Sequence, residues 1–96
     1  MNKEEIRTTL QDLQPRIEQE FQAGIEGFFG SRARGNAGEN SDLDVLVRFG
    51  AKANLYDLIA LGDFLESVFH CKVDIVSSRS LSEDFAGRIR ANLVRV

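Results

Sequence analysis

Apolar residues at Ile6, Leu10, Leu13, Ile17 and Phe21 recur every three or four positions, the spacing that lines one face of a helix. The pattern predicts a helical region from about Lys3 to Phe21. Pro15 lacks an amide donor and its ring crowds the preceding turn, so it predicts either a kink or a break near Gln14, with Pro15 starting a second short helix. The apolar run Ile25 to Phe29 sits between Gly24 and Gly30 and predicts a strand. Ser31 suits a helix N-cap, predicting a brief helix over roughly Arg32 to Asn36. The small polar residues from Asn36 to Ser41, with Gly38 among them, predict a loop.

Leu43, Val45 and Val47 then alternate with Asp42, Asp44 and Leu46, a period of two that predicts a half-buried strand ending near Gly50. Asn54 can cap a helix from Leu55 to about Phe69 whose apolar face carries Leu55, Leu58, Ile59, Leu61, Leu65 and Val68. Val73 to Val76 predicts a third strand. Ser80 with Glu83 has the spacing of a capping box for a last helix to about Arg90, and Leu93 to Val96 can add a short strand. Helices and strands alternating in this order predict an α+β fold. We expect a single domain over residues 1–96 with a small mixed β-sheet of three to four strands packed with helices.

Bulk properties narrow the function classes. The chain has 96 residues, 43% of them hydrophobic, enough for one small core with a thin stability margin, which a protein partner would supplement. Its net charge of −3 and pI near 5.1 disfavour direct nucleic-acid binding, because the basic residues are dispersed among acids. The one local basic excess, Arg32 and Arg34, fits a phosphate-bearing small molecule better. One cysteine, Cys71, and one histidine, His70, exclude an intrachain disulfide and a Cys/His zinc site. No run approaches the ~20 apolar residues of a membrane span and no signal-peptide pattern opens the chain, so the expected location is cytoplasmic.

The chemistry concentrates between residues 30 and 44. Gly30 and Ser31 follow the first strand, ten residues intervene, and Asp42-Leu43-Asp44 opens the second strand. Residues two apart on a strand share a face, so Asp42 and Asp44 project together while Leu43 and Val45 face the core. Two neighbouring carboxylates repel unless a cation lies between them. Mg²⁺ fits because it takes oxygen ligands and leaves positions for phosphate oxygens, and a pair of ions could clamp the attacking and leaving oxygens of a displacement at phosphorus. Gly30 admits a phosphate close to the backbone, and Ser31 offers a hydroxyl and an N–H at a helix start. Arg34 can reach either a phosphate or an aspartate. Asp74 lies on the alternating strand Val73 to Val76. If that strand neighbours the Asp42 strand, Asp74 becomes a third carboxylate, as metal ligand or as general base toward an attacking hydroxyl. Arg32 is expected to be solvated, His70 and Cys71 to pack or cap a helix end, and Phe28 and Phe29 to belong to the core.

Two rival motifs fail at specific positions. Gly30-x-x-x-x-Gly35 begins like a P-loop, but Asn36-Ala37 stands where Lys-Ser/Thr is required. Asp42-x-Asp44 begins like a calcium loop, but Val47 occupies the glycine position.

With these residues in place, the chain resembles the minimal nucleotidyltransferases of the DNA polymerase β superfamily. That family carries Gly-Ser, ten residues, then Asp-x-Asp, matched by Gly30-Ser31 and Asp42-Leu43-Asp44; Val73-Asp74-Ile75-Val76 matches the strand that bears its third aspartate. The resemblance implies Mg²⁺-dependent transfer of a nucleoside monophosphate from an NTP, most often ATP, to an acceptor hydroxyl, with release of pyrophosphate. It implies that Asp42 and Asp44 hold Mg²⁺ (a two-ion site), with Asp74 as the third catalytic carboxylate and metal ligand, and that Gly30 and Ser31 bind the nucleotide, with Arg34 beside them. Larger relatives carry an added acceptor-recognition domain, and this chain is expected to have none. Short chains of this kind resemble the antitoxins of type VII HEPN/MNT toxin–antitoxin modules, whose partner is a HEPN-domain ribonuclease toxin silenced by AMP on a tyrosine. The implied partner is such a toxin in a hetero-oligomer. The alternatives are an antitoxin that neutralises by binding only, and a small-molecule nucleotidyltransferase acting, for example, on an aminoglycoside.

Overall fold

The computed structural model describes residues 1–35, 38 and 41–96; the expected end of the short helix at Asn36 and most of the expected loop lie outside the described residues. Helix α1 spans Lys3–Phe21, strand β1 Ala23–Phe29, helix α2 Ser31–Arg34 and strand β2 Leu43–Phe49. Helix α3 spans Leu55–Phe69 and strand β3 Val73–Ser77. A 3-10 turn at Ser78–Ser80 leads to helix α4, Glu83–Ala91, and strand β4, Val94–Arg95.

The four strands form one mixed sheet, the class that the alternation of elements predicts, in the order β3-β2-β1-β4, which the alternation leaves open. β1 runs antiparallel to both β2 and β4, while β2 and β3 are parallel and joined through α3. A parallel neighbour cannot be reached by a tight turn, so the crossover helix is what sets β2 beside β3. The core lies on one face of the sheet. There Ile6, Leu10 and Ile17 of α1 and Leu61 and Leu65 of α3 bury against Phe28, Leu43, Val45 and Val47, all 3% exposed or less. Arg16 of α1 lies over the Phe64 ring of α3 at 4.7 Å, tying the two helices together. Leu46 alternates to the opposite face and is also fully buried, and Ala86 and Ile89 of α4 are buried. Arg90 of α4 pairs with Glu26 of β1 at 3.3 Å, fastening α4 to the first strand.

Two local expectations change. α1 passes through Pro15 as one continuous helix. The lost hydrogen bond and ring crowding cost about 3 kcal/mol, while each fully buried aliphatic side chain on either side of Pro15 returns roughly 1.5–3 kcal/mol. Burial therefore decides. The helix-capping residue of α4 is Ser82, whose hydroxyl accepts from the Phe85 amide, while Ser80 sits in the preceding turn and donates to the Ser77 carbonyl. Asn54 caps α3 as expected, in a reciprocal box with Asp57. His70 closes that helix in the left-handed conformation (φ 55°), its amide bonded to the Glu66 carbonyl, a capping role that matches the sequence expectation. Among the described residues no helix is long and apolar enough to cross a membrane.

Candidate active site

The pleat of β2 puts Leu43 and Val45 into the core and leaves Asp44 half-buried on the other face. Asp42 directly precedes the strand and is exposed. The sequence left open whether β3 lies alongside; it does, and in register, with Asp74 paired opposite Asp44. The Leu43 amide donates to the Lys72 carbonyl at 2.9 Å, locking the starts of the two strands together. On the other side β1 ends with Phe29 opposite Asp44, so the chain enters the Gly30 turn beside that carboxylate.

Gly30 is indispensable to this approach. Its φ of 76° lies in the left-handed region, and a Cβ built on it would fall 2.3 Å from Asp44 Oδ2. Here the sequence expectation needs correction. Gly30, not Ser31, occupies the N-cap position of α2, and Ser31 is the first helical residue. The Gly30 carbonyl accepts from the amides of Ala33 and Arg34, which leaves the first amides of the turn without acceptors of their own in the helix.

Arg32 is a second correction. It is partly buried rather than solvated, and its guanidinium donates through Nε and Nη2 to the Ser41 carbonyl at 3.2 and 2.9 Å. That bond ties the Gly-Ser turn to the residue just ahead of Asp42. No sequence pattern signals it beyond the presence of an arginine next to the turn.

Electrostatics single out Asp44. Burial pushes its carboxyl above the usual value of 3.8, the negative charges of Asp74 and Asp42 push it further, and a side-chain hydrogen bond with Asp74 adds to this. Arg34 acts in the opposite direction, so its guanidinium lies near enough to Asp44 to favour the charged form. Asp74 has its own cation, Lys72, at 3.8 Å. Asp44 thus lies within electrostatic reach of both other carboxylates predicted from sequence, Asp74 and Asp42, and of Arg34.

Comparisons with known proteins establish the family. A family model described as a nucleotidyltransferase domain matches residues 3–95. The chain belongs to the nucleotidyltransferase family. It is 34% identical over 93 residues to the protein adenylyltransferase MntA of Thermococcus cleftensis, across 97% of this chain and 94% of that protein. A solved structure described as a minimal nucleotidyltransferase matches with a TM-score of 0.82 and 32% identity, covering 100% of this chain and 97% of that one. A crystal structure of a toxin–antitoxin with AMP-PNP matches with a TM-score of 0.60 and 27% identity, covering 88% of this chain and 64% of that one.

The donor set of this nucleotidyltransferase suits a hard divalent cation. Among the described residues no three His, Cys, Asp or Glu side chains form a ready-made metal cage. An open arrangement of carboxylates is nevertheless what Mg²⁺ uses, since it is commonly held by one or two carboxylates together with substrate phosphate oxygens. The raised Asp44 marks negative charge that a cation would relieve. His70 and Cys71, softer donors, stand instead at the end of α3 ahead of β3.

Proposed function

We propose that this chain transfers AMP from ATP to a hydroxyl group of a partner protein, and that it serves as the antitoxin of a HEPN-type ribonuclease toxin, the hydroxyl being a tyrosine. The observation that carries the reading is the alignment of Asp44 with Asp74 across parallel strands, under a glycine turn that leaves room for nothing larger than hydrogen at Gly30. Similarity to a protein adenylyltransferase and to a toxin–antitoxin with a bound ATP analogue supports the nucleotide and the kind of acceptor.

In this reading Asp42, Asp44 and Asp74 hold Mg²⁺. The ions that these carboxylates would hold would supply charge neutralisation for the phosphate oxygens. Gly30 and Ser31 receive the triphosphate through backbone amides and the Ser31 hydroxyl. The acceptor oxygen bonds to the α-phosphorus as the bond from that phosphorus to the bridging oxygen of pyrophosphate breaks. In the same reading Asp74, opposite Asp44 on the neighbouring strand, takes the acceptor's proton. Positioning and charge complementarity supply most of the rate acceleration, and no covalent enzyme intermediate is required.

The test is to incubate the chain with Mg²⁺, α-labelled ATP and the candidate toxin. Label should pass to the toxin with wild-type chain and fall at least a hundredfold with Asp44→Ala. Absence of label with the wild type, or neutralisation by Asp44→Ala equal to wild type, would overturn the catalytic reading.

A binding-only antitoxin is the second reading. It is favoured by Leu55, Tyr56 and Ile59 at the start of α3, large apolar side chains 51–82% exposed. A variant lacking all three aspartates that still protects cells would select it.

A further inference from the structure

A cleft of about 180 Å³ opens at Gly30, lined by Phe29, Gly30, Arg34, Arg88, Ile89 and Asn92. It brings together two segments more than fifty residues apart, the α2 turn and the second half of α4. Its two charged residues are both arginines, and none of its six lining residues is an acid. Among the described residues Arg88 makes no ion pair, whereas Arg90, two positions along the same helix, is held by Glu26. Residues two apart on a helix point in divergent directions. The fold therefore uses one α4 arginine to fasten the helix to β1 and turns the other into the cleft.

Two guanidiniums in one cleft repel unless an anion joins them. The cleft is smaller than the ~300–1,000 Å³ of a pocket for a complete small-molecule ligand, so it suits part of one. Gly30 belongs both to this cleft and to the contact with Asp44. A triphosphate crossing Gly30 with its α-phosphorus at the carboxylates would send its remaining phosphates toward Arg34 and Arg88. That direction also relieves a conflict: the polyanionic tail would otherwise lie among Asp42, Asp44 and Asp74.

Resting on the nucleotidyl-transfer reading, we propose that Arg88, together with Arg34, binds the β- and γ-phosphates of the nucleoside triphosphate. Arg88 is thus a binding residue outside the Gly-Ser and Asp-x-Asp pattern. Arginine suits the task because its planar fork gives paired, charge-assisted bonds to phosphate oxygens. Asn92 adds an amide at the cleft wall. Arg88 is exposed, so its replacement leaves the core intact.

The experiment measures ATP and AMP binding by calorimetry in Mg²⁺ for wild type, Arg88→Ala and Arg88→Lys, with thermal unfolding of each as a folding control. Loss of one charged donor pair should weaken ATP binding roughly tenfold or more, leave AMP binding within about twofold, and be partly recovered by lysine. Inorganic tripolyphosphate should displace ATP from the wild type and do so at least roughly tenfold less effectively from Arg88→Ala. Equal ATP affinity in wild type and Arg88→Ala, or equal losses for ATP and AMP, would overturn the assignment of Arg88 while leaving nucleotidyl transfer standing. A wild-type chain that binds no ATP would overturn the nucleotide reading itself.

Discussion

Asp44 carries a thermodynamic conflict that can be measured. Its carboxyl is held above the usual value by burial and by Asp74 and Asp42, so the folded chain binds a proton that the unfolded chain has already released. The stabilisation from that proton is complete below the usual carboxylate value of 3.8 and disappears as pH rises through the raised one. At neutral pH the charged carboxylate is a net cost. In metal-free buffer Asp44→Asn should therefore be more stable than wild type at pH 7. The half-exposed position is screened by water, so the gain is about 0.5 kcal/mol, or roughly 2–4 °C in Tm. The gap should close as pH is lowered toward 4, and millimolar Mg²⁺ should raise the melting temperature of wild type but not of Asp44→Asn. Calorimetric melts across pH, with and without the ion, check both statements; a wild type already more stable than Asp44→Asn without metal would contradict them. Much at this scale was legible in the sequence, because glycine, serine and paired aspartates at fixed spacing state their chemistry locally. Arg32 and Arg88 were not legible, because their meaning lies in a carbonyl nine residues away and a turn more than fifty residues away.

Among the elements, apolar patterning, glycine boundaries and capping signals together located the four helices and four strands seen among the described residues. What they missed are places where a tertiary contact overrides a local signal. Pro15 reads as an interruption, yet α1 continues because Ile6, Leu10 and Ile17 bury on the same face before and after it. Ser80 has capping-box spacing, yet Ser82 caps α4 because the 3-10 turn after β3 uses the earlier serine. Gln14 carries no signal at all. Its side-chain amide donates to the Ile25 carbonyl at 2.7 Å and accepts from the Ile25 amide at 2.9 Å, imitating a strand where β4 does not reach along β1. This pair fixes α1 to the strand that leads into Gly30. Gln14→Ala leaves two partly buried backbone groups unmatched and should cost about 1–3 kcal/mol, lowering Tm by roughly 5–15 °C. Amide exchange at Ile25 should accelerate with it, and unchanged protection there would show that the glutamine does not hold the strand.

For the whole molecule the question is how a chain of 96 residues carries an acidic site and still folds. One sheet face is filled by α1 and α3, while the other is divided between a small apolar contact at Leu46 and α4 and the carboxylate cluster. Only part of the second face therefore contributes hydrophobic stabilisation, and small domains bury a modest share of their surface. The adjacency of β2 and β3 that builds the site is a long-range property, which is why strand positions were readable from sequence and their register was not. Leu55, Tyr56 and Ile59 remain exposed at the start of α3, whereas Asp42, at the start of β2, lies at the end of the sheet where the parallel strands begin. Under the proposed function, partner binding and catalysis then draw on separate regions of the molecule. A toxin present at a hundred times its dissociation constant should stabilise the chain by about 2.7 kcal/mol, a rise in Tm of roughly 10–20 °C. The variant with Asp42, Asp44 and Asp74 all replaced by asparagine should keep most of that rise while transferring no label. Replacing Tyr56 and Ile59 by serine should do the reverse in kind: it should shrink the rise and leave ATP affinity unchanged. Melts of the complex paired with ATP titrations separate the two regions, and a triple-asparagine variant that loses the stabilisation would place the partner on the carboxylates instead.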